Sequence, residues 1–495
     1  VQALIYAVTG GRALPTYVRD QIEQRTDGVP QFVEELTRSI LSSGLLKQEG
    51  DRFIAAGPVS PQAIPMTLQE TLTARLDRLS AVRDIAQLGA VIGRRFRVDL
   101  ISDVCAIEED ELLSALTTLE QEGLLSRRGS GADAVYEFRH ALIREAAYES
   151  LLRARREEIH ERIARHLMEH IANDDPAMIA HHMTEAGLHT DAIDQWIAAG
   201  DLSIETAGFV EALSNYSNAL TQLRKIPPDD KRYAKEIDVL LALGPCQVQV
   251  LGPASNEMYV TYATAVQLSE DHGVPEQHFK ALWGLWFHYF MLGAVPKMHE
   301  LANQLIPLAL ETGDEALELE GHHCEWAALS LLGDFSSALS STEKGIRAYN
   351  QDKHHWMTFH YGGHDPGLCA HSLKAVNLCV LGYPDQAKVV AEQAIGNAMR
   401  LNHSYSVLET LFCSLIVMML RSEYDAIKLY APRLIALTDA QRLPPEARAL
   451  ANGFIGWVET ETGDEAEGLA LMGKSIGGWQ AFWGAWCFPL DAAYA

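Results

Sequence analysis

Gly333 to Ile346, GDFSSALSSTEKGI, returns along the chain as GYPDQAKVVAEQAI over Gly382 to Ile395 and as GDEAEGLALMGKSI over Gly463 to Ile476. In register, Ala338, Ala387 and Gly468 coincide, then Gly345, Ala394 and Ser475, then Ile346, Ile395 and Ile476. Small residues recur where two helices would approach closely, with an isoleucine beside them. Gly293 and Ser422 stand at comparable turns, giving a step of about forty residues with one enlarged unit between Gly333 and Gly382. From Pro176 almost to the end the apolar residues keep a helical period, with hardly a convincing strand. A stacked helical array follows.

The units are similar to tetratricopeptide (TPR) repeats, though longer than the usual ~34 residues. Such arrays bury a continuous core between helix pairs and offer a concave face to peptides or other protein segments. Upstream, Leu14–Arg25, Pro30–Ser43 and a segment from Thr67 read as helices, Arg52–Ala55 as an extended piece and Gly57–Pro65 as a loop. Helices near Val82–Ile92, Leu100–Val104 and Glu109–Glu122 come next. Gly123–Ser126, a turn at Gly129–Asp133 and Val135–Phe138 then form a two-stranded wing, so this stretch has a winged-helix pattern. Helices His140–Leu152 and Arg155–Ile171 lead out of it. The expected fold is mainly α: a small helical lid (residues 1–80), a winged-helix domain with exit helices (81–172) and an α-solenoid of TPR-like helix pairs (173–495).

Composition narrows the partners. The 495 residues are 48% hydrophobic and 21% charged, material for two to four packed domains, with a formal charge of −26. Residues 1–172 hold 21 basic and 26 acidic side chains (−5), and the rest 19 and 40 (−21), so the array is a poor nucleic-acid binder. The seven cysteines include no CxxC pair and read as reduced, mostly buried thiols. No apolar run approaches a membrane span and Val1–Arg12 lacks the features of a signal peptide, so a cytoplasmic chain without membrane partners is expected. The chain opens on Val1 rather than methionine and stops within an apolar run, so a piece of a larger protein is expected.

Several local patterns invite chemistry. Gly468–Ser475, GLALMGKS, satisfies the P-loop expression, and Gly473–Gly477, GKSIG, the nucleophile elbow. Both need a strand before a tight turn, whereas Thr462–Glu467 reads as a helix start and the repeat register already explains Gly468 and Ser475. His160–Glu161 with His166 misses the HExxH metalloprotease motif and reads as solvated helix surface. His354, His355, His360 and His364 crowd the enlarged unit. An ordered inter-repeat loop is the expected reading. A metal site using His360 and His364 would need a helix that Gly362 and Gly363 oppose. No metal ligand set and no catalytic residue are assigned. Trp283, Trp286, Trp326, Trp457, Trp479 and Trp483, at helical spacing, read as core rather than as a ligand groove.

Two further stretches carry a resemblance. Thr26–Leu36, TDGVPQFVEEL, places Pro30 at the start of a helix, where a missing amide costs nothing. It resembles the GxP segment of the signal-transduction ATPases with numerous domains (STAND), in which the proline packs against adenine. Phe138–Tyr148, FRHALIREAAY, is similar to the winged-helix motif of the same class, in which a histidine contacts the β-phosphate of ADP. Ala141 stands where the eukaryotic branch often has Asp.

The order of these parts resembles a bacterial subset often fused to an N-terminal class III adenylate or guanylate cyclase. The resemblance implies that Gly28, Pro30 and His140 form one wall of an ATP/ADP site, completed with Mg2+ by residues upstream. It also implies a protein or peptide ligand on the repeat face, an ATPase and a cyclase domain in cis, and oligomerisation on activation. The P-loop, Walker B acid and cyclase aspartates are absent from this sequence, so it is not expected to be an enzyme by itself. Two alternatives stand beside this reading: a STAND-type transcriptional activator with a DNA-binding output domain, and a TPR scaffold that binds no nucleotide. Direct DNA contact by the winged helix, through Arg94, Arg95, Arg97, Arg127 and Arg128, is opposed by the acids Glu108–Glu111.

Overall fold

A computed structural model describes residues 1–56, 64–79, 82–105, 107–129, 134–171, 175–440, 442–443 and 446–483. The chain packs as two compact units, Val1–Ala199 and Gly200–Ala495. It is mainly α.

The first unit begins with α1 (Gln2–Val8), α2 (Thr16–Thr26) and α3 (Pro30–Ser42), followed by the hairpin β1 (Leu46–Glu49) and β2 (Arg52–Ala55). Val18 and Ile22 of α2 close with Phe32, Val33, Leu36 and Ile40 of α3 over Ile5 and Leu46. Strand β1, unexpected from the sequence, exists because β2 needs a hydrogen-bonded partner. Thr67 caps α4 (Leu68–Arg78), accepting from the Glu70 amide, while the Glu70 carboxylate takes the Met66 amide.

Next come α5 (Arg83–Ile92), β3 (Arg95–Arg97), α6 (Val98–Cys105), α7 (Glu109–Gln121), β4 (Leu125–Arg128) and β5 (Val135–Phe138). The sheet order is β3-β5-β4, antiparallel throughout. Its third strand, too short to read from sequence, brings Phe96 against Tyr136 and Phe138. Phe96 also packs so tightly on Gly89 that a Cβ there would lie 2.6 Å from the ring. Helices α8 (Ala141–Glu149), α9 (Arg153–Ile171) and α10 (Pro176–Glu185) follow, and α11 (His189–Glu205) leads out of the unit.

The second unit is an array of helix pairs: α12 (Phe209–Leu223), α13 (Asp230–Leu251), α14 (Asn256–His272), α15 (Pro275–Met291), α16 (Val295–Thr312), α17 (Glu315–Leu332) and α18 (Phe335–Ala348). The enlarged unit then inserts α19 (Gln351–His354) and a 3-10 turn, His355–Phe359. The array resumes with α20 (Pro366–Val380), α21 (Pro384–Leu401), α22 (Ser404–Leu420), α23 (Tyr424–Asp439), α24 (Glu446–Thr462) and α25 (Glu465–Trp483). Apart from the short α19, past which α18 packs directly on α20, each helix packs on the next, and α17, α20, α22 and α24 also pack on one another in succession, the arrangement of TPR-like hairpins.

The repeat register holds in detail. Gly293, Gly333, Gly382 and Ser422 all adopt positive φ at the helix-to-helix turns, at 67°, 83°, 88° and 57°. Ala338, Ala387, Gly345, Ala394 and Ser475 are buried contact positions. A Cβ on Gly345 would lie 2.2 Å from the Trp326 ring, so only glycine lets α18 lie this close to α17. GLALMGKS lies wholly within α25, with Ser475 buried and its hydroxyl donating to the Ala449 carbonyl. Neither a P-loop nor a nucleophile elbow is formed.

One local expectation is corrected. His160 is not on a solvated surface but is 1% exposed, because α10 packs against α9 and covers it. Its neighbours there are His182 and Tyr148.

Candidate functional site

In the first unit, Asp27 and Gly28 both take left-handed conformations, with φ of 46° and 76°. This reversal ends α2 and sets Pro30 at the first position of α3, exposed beside Val29. His140 is the N-cap residue of α8, partly buried two residues past the end of β5, and makes no side-chain capping bond. The link between the two positions runs through α4, which packs on both α3 and α8. Arg75 of α4 is buried and forms an ion pair of 2.5 Å with Glu35 of α3. Its other terminal nitrogen donates to the carbonyl of Glu122, where α7 ends. Arg78 adds a 2.9 Å bond to Ser39.

Four of the five arginines that could have met DNA, all but Arg127, are turned onto acids. Arg94, Arg95 and Arg128 converge on the buried carboxylate of Glu137 at 3.2, 3.2 and 3.3 Å. Arg97 pairs with Asp99 at 2.6 Å. Much of the basic character available for phosphate is thereby neutralised.

The second unit holds a cavity of ≈ 70 Å³ among α15, α17, α20 and α22. Trp283, Trp286, Phe287, Phe290 and Phe412 form its apolar walls, and Glu320, His323, His364, Cys369 and Glu409 supply its polar side. Glu320 and His323 sit three residues apart on one face of α17, and the His323 Nδ1 lies 3.1 Å from a Glu320 oxygen. Trp283 Nε1 donates to the other Glu320 oxygen at 2.7 Å. Burial opposes charge on His323, but the Glu320 carboxylate overrides it and holds the imidazole well above its ordinary value.

His364 reaches the cavity because Asp365 caps α20, accepting from the Leu368 amide, while its other oxygen takes bonds from Tyr349 and His355. His364 Nδ1 lies 3.0 Å from the Gly362 carbonyl, and its Nε2 lies 3.2 Å from the Nε2 of His323. Burial pushes its value down to about 3, with His323 adding to the effect. Burial also raises the Cys369 thiol and pushes Glu409 up to about 7. Cys413 donates to Glu409 Oε1 at 3.4 Å, whereas Glu409 Oε2 is out of solvent with no hydrogen-bond partner.

The pairing of His360 with His364 does not form. His360 is exposed and bonds the Trp356 carbonyl, whereas His364 meets a residue 41 positions away. Of the tryptophans, Trp326 is fully buried, Trp283 and Trp286 line the cavity, and Trp457 packs on Tyr424. The side chains of Trp479 and Trp483 lie outside the described residues, as do the side chain of Cys105, the turn 130–133 and the residues 57–63. The five described cysteines are free, and Cys246, Cys324, Cys369 and Cys413 are buried. Among the described residues no helix is long and apolar enough to cross a membrane.

No protein-family model matches the chain. It is 24% identical over 466 residues to an uncharacterized protein of Rhizobium meliloti (strain 1021), covering 92% of this chain and 44% of that protein. The chain thus spans less than half the length of this curated relative. Among solved structures, a STAND protein with a TPR sensor from Pyrococcus horikoshii is 11% identical with a TM-score of 0.41, over 98% of this chain and 74% of that one. Aspartyl phosphate phosphatase F from Bacillus subtilis is 10% identical with a TM-score of 0.45, over 87% and 97%. At these scores the likenesses assign no activity.

Proposed function

We propose that this chain is the regulatory and sensing region of an ATP/ADP-switched signalling protein of the STAND kind, linked in cis to an ATPase and an adenylate or guanylate cyclase. In this reading residues 1–80 are the end of the ATPase lid, 81–172 a winged helix with its exit helices, and 173–495 a TPR-like array that takes a protein or peptide ligand. The observation that carries it is His140 at the N-cap of α8. With no side chain capping that helix end, its first amides and its dipole favour an anion such as the ADP β-phosphate. Pro30, exposed at the start of α3, supplies a flat apolar contact suited to adenine. Helix α4 packs on both α3 and α8, and its buried Arg75 pairs with Glu35 of α3, which supports a shared framework for the two positions.

The array would bias the closed, ADP-held form against an ATP-bound open form by binding one of them more tightly. Oligomerisation on opening and Mg2+ beside the upstream P-loop belong to the same reading. The test is ADP affinity in the protein extended upstream through its P-loop. His140→Ala should weaken ADP binding about tenfold, the equivalent of one charge-assisted hydrogen bond, and weaken ATP binding less. Equal ADP affinity in the two proteins ends the sensing role. Failure of the extended protein to bind any nucleotide would leave a TPR scaffold.

A further inference from the structure

We propose that His323, His364 and Cys369 form a binding site for a borderline-soft transition-metal ion of the Zn2+ class, fastening the enlarged repeat unit to α17 and α20. This rests on the second unit alone and does not depend on the nucleotide reading.

Hydrogen-bond bookkeeping of the imidazoles supplies the first argument. The Gly362 carbonyl can only accept, so His364 Nδ1 carries the proton and its Nε2 holds a lone pair. Glu320 likewise accepts from His323 Nδ1, so in the neutral ring the lone pair lies on Nε2. The two Nε2 atoms face each other at 3.2 Å. Two lone pairs at that distance repel unless a cation lies between them, either an additional proton or a metal ion.

The surroundings favour the metal. The two ring nitrogens and Cys369 Sγ all lie within 4.8 Å of one another. A tetrahedral zinc site places such atoms about 3.3–3.6 Å apart, so the nitrogens are already at their spacing and the thiol needs only a small side-chain adjustment. Each imidazole has an acceptor fixed behind its Nδ1, a carboxylate for His323 and a backbone carbonyl for His364, as metal-ligating histidines almost always do. Glu320 is itself held by Trp283.

Glu409 provides an independent sign. Glu409 lines the same cavity, and its Oε2 is shielded from water with no hydrogen-bond partner, a need that an ion-bound water could meet by donating. The cavity, ≈ 70 Å³, has room for an ion with a water and is smaller than the about 150 Å³ that a benzene-sized ligand takes. Charge also balances, since the Cys369 thiolate and the Glu320 carboxylate together offset a divalent ion. On binding, the Cys369 S–H bond breaks, sulfur keeps the electron pair for the metal, and the proton leaves to solvent.

The three ligands come from three segments: α17, the loop before α20, and the first turns of α20. An ion would therefore cross-link the insertion to the hairpin stack. The chain, stripped with a chelator, should bind one Zn2+ in competition with a chromophoric chelator, and one Co2+ with a thiolate-to-cobalt charge-transfer band. Cys369→Ala should abolish that band, Cys413→Ala should keep it, and His364→Ala and Glu320→Gln should each weaken Zn2+ at least tenfold. Metal-free thermal melts identify any variant that fails to fold. The Cys369→Ala and Cys413→Ala pair carries the test in that case, since both replace a buried thiol by a smaller apolar group. Failure of the stripped chain to take up Zn2+, or a cobalt band that survives Cys369→Ala, overturns the site and leaves a protonated His323 between Glu320 and His364.

Discussion

His160 and His182 illustrate how neighbours set a side chain's chemistry. Tyr148 donates to Glu185 at 3.3 Å, so its oxygen accepts from His160 Nε2 at 3.1 Å. His160 Nδ1 then accepts from His182 Nδ1 at 2.8 Å, a pattern that both rings can make in their neutral forms. Burial pushes His160 down to about 4, with His181 and Arg156 adding, and pushes His182 down to about 3, with His160 and His181 adding. In the unfolded chain both return to 6.5. As pH falls below 6.5 the unfolded chain therefore takes up protons that the folded one refuses, and stability is lost from there down to about 4 and about 3. Each histidine contributes a slope of about 1.4 kcal/mol per pH unit within its window. Hydrogen exchange in α9 and α10 should lose protection as pH falls from 6.5 to about 4, and His182→Leu should make that loss shallower. An unchanged slope would show that the pair does not titrate as described.

At the scale of elements, two contacts decide the packing. Arg75 and Glu35 are both nearly sealed from water, so removing one partner strands a buried charge. Arg75→Met should cost about 3–5 kcal/mol in urea unfolding, and adding Glu35→Leu should recover much of it. A double variant no more stable than the single one would place the loss in packing instead. Gly345 is the second case. Gly345→Ala drives a methyl into the Trp326 ring and should cost about 1–3 kcal/mol. Gly382→Ala meets nothing within 4 Å and suffers only the strain of φ 88°, about 1 kcal/mol. The small-residue positions were legible in the sequence because both kinds of glycine recur in register. Which kind each one is depends on what lies across the helix.

For the molecule as a whole, an array in which each helix pair contacts its neighbours loses stability locally first. Hydrogen exchange in Gly345→Ala should therefore quicken in α16, α17, α18 and α20, while α12 and α13 keep their protection. Uniform quickening would mean that the second unit unfolds as one block. The same nearest-neighbour construction explains the cavity, since α15, α17, α20 and α22 each bring one side of it. Unit-scale coupling in the N-terminal half has a different origin, the Arg75 strut joining α3 to the end of α7.

The sequence by itself determined the helical array, its step, its turns and the place of the enlarged unit, because small residues and apolar spacing repeat locally. It also settled that GLALMGKS is helix, since context on both sides was helical, and it placed Pro30 and His140 at helix starts. Within the histidine-rich segment it named His354, His355, His360 and His364 together and weighed only a pairing of His360 with His364, and it did not mark Glu320 or His323. What it could not supply was the meeting of the two imidazoles. His323 and His364 stand 41 residues apart, and their 3.2 Å approach exists only because the insertion folds back and Asp365 caps α20 beside it. The burial of His160 and the convergence of three arginines on Glu137 were decided in the same way, by which surface an adjoining element happens to cover. Periodicity records what a residue's own helix requires; the partner across the interface is fixed only when the chain closes.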